Sequence, residues 1–216
     1  FWLHNGYINV DNRKMSKSAG DCFWVRDAAK KFGYGAIRYF LLASHYRNPV
    51  NFSEAILAQS AAALERLQNC RENLAFRLEN AGNATDAPSL AAEAEQIMAR
   101  KADFLAAMDD DFNTANAIAV LFEITRDINT LLKNESVSAD ILRTLLGFYD
   151  ELLGLFGFLP EEKTADGDAE IEALVAERTK AKKEKDYQKA DELRARLKEM
   201  GVTLEDTPQG TKWKKA

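Results

Sequence analysis

The chain has 216 residues, a net charge of −5 and 46% hydrophobic residues, enough apolar material for one large domain or two to three small ones. No apolar run approaches the ~18 residues a membrane helix needs, and the start has neither the basic region nor the apolar core of a signal peptide. Two cysteines, Cys22 and Cys70, are too few for a disulfide framework or a zinc site, which points to a reducing, cytoplasmic setting.

The charge is segregated. Residues 1–47 carry a net +5, residues 48–170 a net −13 and residues 171–216 a net +3. Basic ends around an acidic middle suit an extended polyanion that touches the ends and is held off between them. Solvated acidic helix faces give the same pattern.

Tyr7, Ile8 and Val10 read as a short strand at the edge of an α/β domain. The loop Lys14-Met15-Ser16-Lys17-Ser18 follows, and Gly20 frees the chain after it. Two ammonium groups three residues apart, with small hydroxyl donors between them, can close over a polyphosphate and follow charge as it builds. A solvated basic turn has the same ingredients.

Two helices are predicted next, from near Val25 to Phe32 with Gly33 as the stop, and from Gly35 or Ala36 to about Ser44. In the second, Ile37, Phe40 and Leu41 form the apolar stripe, with Arg38 and Tyr39 facing elsewhere. His45-Tyr46-Arg47-Asn48-Pro49 reads as a loop. Between 53 and 159 the periodicity predicts four amphipathic helices in an antiparallel bundle. Ser53 caps the first, with Cys70 on its stripe as a small core residue. Ser89 caps the second, which runs through Met108. Asp109-Asp110-Asp111 lacks the alternation of an EF-hand loop and reads as acid before a helix capped by Asn113 or Thr114. Ser138 caps the fourth, which Gly154, Gly157 and Pro160 end.

Residues 82–88 and 161–169 read as linkers. The tail predicts a helix over about 169–184 and a second capped by Asp186 with Ala190, Leu193, Leu197 and Met200 inward. A hairpin then turns at Thr207-Pro208-Gln209-Gly210. Within it Trp213 suits either a core plug or a stacking platform for a base, and Asp206 either a turn cap or an acceptor for exocyclic amines. Lys212, Lys214 and Lys215 suit phosphates.

The lysine loop resembles the KMSKS signature of class I aminoacyl-tRNA synthetases. Its surroundings resemble the bacterial cysteinyl-tRNA synthetase family. The resemblance rests on Trp2-x-His4-Asn5-Gly6, on Arg38-Tyr39-Phe40-Leu41 with His45-Tyr46-Arg47, on the Asp109–Thr114 run, and on Leu204–Thr211 with Trp213. Ala19, Asp21 and Cys22 stand where the family often has Leu, Asn and Phe. The resemblance implies the C-terminal portion of an enzyme about twice this length. The fold is then mainly α: the end of a Rossmann-like α/β catalytic domain over 1–52, a tRNA-binding helical bundle of DALR type over 53–160, a linker over 161–168, and a small α+β anticodon-binding module over 169–216.

The resemblance further implies ATP with Mg2+ as cosubstrate, Lys17 as principal phosphate ligand with Lys14 assisting, and Met15, Ser16 and Ser18 completing the ATP contact. It assigns tRNA(Cys) to Arg47, Asp206, Lys212, Trp213, Lys214 and Lys215. It places the HIGH motif and a thiol-binding zinc in a missing N-terminal part of the same protein, so this chain alone is expected to be inactive and to hold no metal. His4 and His45 lie outside any HIGH sequence and read equally as ordinary polar contacts. A cysteine ligase acting on an amino sugar, and a non-catalytic helical RNA-binding module, are the alternatives. The terminal module argues against the first.

Overall fold

The computed structural model describes residues 2–10, 13–14, 24–81, 88–160, 168–184, 186–207 and 210–215. They divide into two units, Phe1–Leu159 and Pro160–Ala216. The first begins with a small sheet of β1 (Ile8–Val10), β2 (Arg13–Lys14) and β3 (Val50–Phe52), with β1 in the middle. β2 returns antiparallel, with Asn9 opposite Lys14. β3 lies parallel to β1, with Ile8 opposite Val50 and Val10 opposite Phe52. Parallel neighbours need a crossover, and α1 (Val25–Leu42) supplies it.

The two helices predicted over 25–44 form this one element, interrupted at Gly33. Gly33 has φ 78° and ψ 156°, an extended conformation with positive φ that only glycine adopts readily. It therefore kinks the chain instead of closing a left-handed cap. α1 covers the sheet with Phe40, which meets Phe52 edge-on at 6.2 Å in a cluster with Ala28 and Leu57. Leu41, expected inside, is exposed, whereas Tyr39, expected outside, is buried. The reason is that α1 is sandwiched: its far side meets the helical bundle, where Tyr39 packs against Phe158 at 5.5 Å.

The bundle holds α2 (Glu54–Glu79), α3 (Pro88–Ala99), α4 (Lys101–Asp109), α5 (Thr114–Leu131) and α6 (Ala139–Phe156). Five helices replace the expected four because the second breaks at Arg100. There the backbone N–H bonds tightly back to the Ile97 carbonyl at 3.2 Å. The turn aims the guanidinium across to Asp127 at 2.8 Å and Glu123 at 2.7 Å on α5. Ser89 is inside α3 instead of capping it, with Pro88 in the first helical position, where a missing N–H costs nothing. The caps at Ser53 and Ser138 form as expected, accepting from Ile56 and Ile141 N–H. Gly157 closes α6 in the left-handed region, φ 64° and ψ 39°, and the Phe158 N–H reaches back to Leu153 at 2.9 Å, which turns Phe158 into the core.

At the centre of the bundle Leu67, Leu74, Leu121, Ile124, Leu145 and Leu152 are fully buried. One polar knot sits among them. The Tyr149 hydroxyl lies 2.7 Å from Thr125 Oγ1, and Thr125 in turn donates to the Leu121 carbonyl at 2.7 Å. Cys70 is beside it, 1% exposed, and burial pushes its thiol up to about 12. Burial also drives the Tyr149 hydroxyl upward.

The second unit pairs α7 (Asp168–Lys183) with α8 (Tyr187–Glu199) and adds a hairpin of β4 (Val202–Thr207) and β5 (Gly210–Lys215). Asp186 caps α8 by accepting from Lys189 N–H at 3.1 Å. Its small core is Ile171, Leu174, Val175, Leu193, Leu197 and Val202. Met200, expected inward, is exposed because it is the residue that leaves the helix, just before Gly201 at φ 73°.

Tyr149→Phe should cost about 1 kcal/mol, because it removes the buried bond to Thr125 Oγ1 while the Thr125 bond to Leu121 remains, measured by urea denaturation. The pH dependence follows from the raised thiol and phenol. An acid whose folded pKa is raised stabilises the fold fully below its unfolded value and loses that contribution above it. The urea midpoint should therefore be flat near neutrality and fall from about pH 9 towards 12, with a smaller fall in Cys70→Ala.

Candidate functional site

The strand that leads into the lysine loop is held from behind. The Gly6 N–H donates to the Tyr46 carbonyl at 2.7 Å, and the Val50 N–H donates to the Tyr7 carbonyl at 3.0 Å. At Gly6 a Cβ would run into the backbone of Asn48 and Pro49, so the segment 45–50 approaches β1 as closely as only glycine permits. Lys14 ends β2 and its backbone is fixed opposite Asn9. Met15, Ser16, Lys17 and Ser18 lie outside the described residues.

The loop 45–47 also meets the bundle, at Asp111. The Tyr46 hydroxyl donates to Asp111 Oδ1 at 2.8 Å, and Arg47 Nη2 lies 2.9 Å from Oδ2. His45 Nε2 is 3.7 Å from the same oxygen. Arg47 Nε donates to the Tyr46 hydroxyl at 3.1 Å, and the His45 ring stacks on Tyr46 at 4.8 Å. The Tyr46 hydrogen bond, and after it the Asp111 charge, push the Arg47 pKa up. Arg47, expected to meet tRNA, therefore spends part of its guanidinium on this carboxylate, although its side chain remains 64% exposed.

The acidic run is thus only partly a helix start. Asn113 does cap α5, accepting from Asn116 N–H at 3.2 Å. Asp109, however, ends α4, where an acid faces the negative end of the helix dipole. Asp111 and Phe112 have positive φ, 54° and 52°, which costs non-glycine residues roughly 1–3 kcal/mol each and persists only where surroundings impose it. Thr114 adds a tie, donating to the Leu42 carbonyl at 2.7 Å. Tyr46 and Asp111 were legible as residues but not as partners, since 65 residues separate them.

In the second unit the hairpin register sets Leu204 opposite Trp213, Glu205 opposite Lys212 and Asp206 opposite Thr211. Lys214 and Lys215 pair with Thr203 and Val202. Trp213 is half-buried against the core of that unit, beside Leu204. Arg178, 3% exposed, reaches towards Thr211 at 3.5 Å. Among the described residues no group of three or more His, Cys, Asp or Glu could hold a metal ion, and no helix is long and apolar enough to cross a membrane.

Three family models match successive stretches of the chain. Residues 1–62 match the model of the class I (C) tRNA synthetase catalytic domain, 103–160 the DALR domain, and 164–213 the cysteinyl-tRNA ligase anticodon binding domain. A solved structure titled as a ternary complex of Agrobacterium radiobacter LeuRS, tRNA and LeuAMS shares the fold, with a TM-score of 0.58 and 24% identity over 70% of this chain and 20% of that one. These matches liken the chain to part of a class I aminoacyl-tRNA synthetase. The cysteine–tRNA ligase of Clostridioides difficile is 43% identical over all of this chain and 46% of its own length. That of Bacillus pumilus is 42% identical, again over all of this chain and 46% of its own. The chain thus matches the C-terminal portion of cysteine–tRNA ligases over the whole of its own length, and it spans a little under half the length of these relatives.

Gly6→Ala should separate β1 from the 46–50 segment and destabilise the first unit by ~2 kcal/mol, as overpacking does. Thermal unfolding checks it, with Gly147→Ala as a control, since nothing lies near that glycine.

Proposed function

We propose that the whole protein activates cysteine with ATP and charges tRNA(Cys) with it, and that this chain supplies the phosphate loop and the tRNA-holding arm. The observation that carries the reading is the match to cysteine–tRNA ligases over the full length of this chain, anticodon-binding model included. A ligase acting on an amino sugar has no use for that last module. Residues 1–52 would close the catalytic domain and 53–160 form the tRNA-holding bundle. The linker 161–168 would lead to the anticodon module, 169–216.

Adenylation joins a cysteine carboxylate oxygen to the α-phosphorus of ATP and breaks the bond to the departing pyrophosphate. Charge spreads over the phosphoryl oxygens, and the protein's contribution is positioning and cations. Lys17 holds the departing phosphates with Lys14 assisting, Met15, Ser16 and Ser18 complete the loop, and Mg2+ accompanies the nucleotide. Lys14 is well suited because its backbone is tied to β1 through Asn9, so the loop leaves the sheet from a fixed point. In the second step the terminal ribose hydroxyl attacks the cysteinyl carbonyl and AMP leaves. The HIGH motif and the thiol-binding zinc belong to the N-terminal part, and the setting is cytoplasmic.

The hairpin reads single-stranded anticodon bases by stacking and by edge hydrogen bonds. Trp213 offers its unburied part, Asp206 an acceptor, and Lys212, Lys214 and Lys215 the phosphate contacts. Arg47 has the exposure to meet a phosphate from its outer side.

In the full-length protein Lys17→Ala should slow cysteine-dependent pyrophosphate exchange about a hundredfold, near 3 kcal/mol in the barrier; an unchanged rate sinks the assignment. Trp213→Ala in the full-length protein should weaken tRNA(Cys) binding about tenfold, within the range of one lost base stack, read by filter binding with the fold checked by circular dichroism.

A further inference from the structure

We propose that Asp111 is a positioning residue that locks the α4–α5 turn onto the loop before β3, and so sets the bundle that holds tRNA against the strand that launches the lysine loop. The inference rests on the tRNA ligase reading above. One carboxylate gathers Tyr46 at 2.8 Å, Arg47 at 2.9 Å and His45 at 3.7 Å. Tyr46 and Arg47 are joined to each other at 3.1 Å, which closes a triangle of polar contacts. Thr114, three residues on, ties the same turn to the end of α1 at 2.7 Å. The contact bridges the regions that match the catalytic-domain and DALR models.

From Tyr46 the path to the lysine loop is short. Its carbonyl accepts from Gly6 at 2.7 Å, β1 follows Gly6, and Asn9 in β1 pairs with Lys14. The backbone supplies the second argument. Asp111 and Phe112 both have positive φ, a conformation that surroundings must impose on such residues. The turn that closes α4 holds this conformation by backbone bonds, Phe112 N–H to Met108 at 3.0 Å and Asn113 N–H to Ala107 at 3.2 Å, and so presents the Asp111 carboxylate to Tyr46 and Arg47 from a fixed backbone. Magnitude decides where the effect should appear. The Arg47–Asp111 pair is 64% and 37% exposed, and such pairs add little to stability. A small misplacement of a bound substrate, by contrast, can cost up to about a hundredfold in rate.

The test uses the full-length protein and Asp111→Asn. Asparagine tolerates the positive φ and still accepts from Tyr46 but offers Arg47 no charge. Tyr46→Phe is the second variant, which removes the other arm. Each should leave pyrophosphate exchange within about twofold and slow single-turnover transfer of cysteine to tRNA about tenfold, with KM for tRNA little changed. Amide hydrogen exchange at Gly6 and Val50 should quicken in both variants. Equal loss of exchange and transfer, with a lowered Tm, would show a merely structural contact and overturn the proposal, as would unchanged transfer. If wild-type protein lacks cysteine-dependent exchange, the ligase reading falls and the positioning role falls with it; quickened amide exchange would then show only that the contact itself is real.

Discussion

Helix α2 has to bury apolar residues in two places at once, and the first unit depends on that constraint. Its opening turns give Leu57 to the cluster under the sheet. Its later turns give Leu64, Leu67, Cys70 and Leu74 to the bundle core. A helix of 26 residues spans roughly 39 Å at 1.5 Å per residue, and being continuous it cannot serve one core without aligning the other. Tyr39 brings α1 into the bundle core as well, its ring tilted against Phe158 at 5.5 Å. The β1–β3 pairing and the Asp111 contact then refine an alignment that hydrophobic burial has already set.

Polar interactions divide by burial. The Tyr149–Thr125 hydroxyl pair is enclosed and has no water to fall back on, so its geometry matters to stability. Arg71 meets Asp150 with two bonds, 2.7 and 3.0 Å, at partial exposure, a planar match that adds orientation as well as energy. Glu177 with Lys189 and Arg196 with Glu170 in the second unit are exposed and contribute little to holding that unit together. Its small apolar core of six buried residues carries that load.

Much of this was legible from spacing and punctuation. Ser53, Asn113, Ser138 and Asp186 cap the helices they were expected to cap, since a cap is a local hydrogen bond that neighbours in sequence can make. Gly157 marks an end for the same reason, and Thr207 pairs with Gly210, while Pro208 and Gln209 of the expected turn lie outside the described residues. The lysine loop and its four companion stretches pointed to the family before any fold was known, because a motif is itself a linear object.

What spacing could not supply was partnership. β3 has three residues, too few to show a period, and exists only because β1 lies beside it. Leu41 and Tyr39 exchanged places because α1 is packed on two sides, a fact about neighbours and not about the helix. Arg100, at the break, meets α5 across a gap of 23 residues, and Asp111 meets Tyr46 across a gap of 65. Sequence alone determined most of the helical segments, most of their caps and the family they resemble, because those depend on local energetics and linear motifs. Which face is buried and which acid holds Arg47 were decided only in three dimensions, where the burial of one element is set by the surface of another.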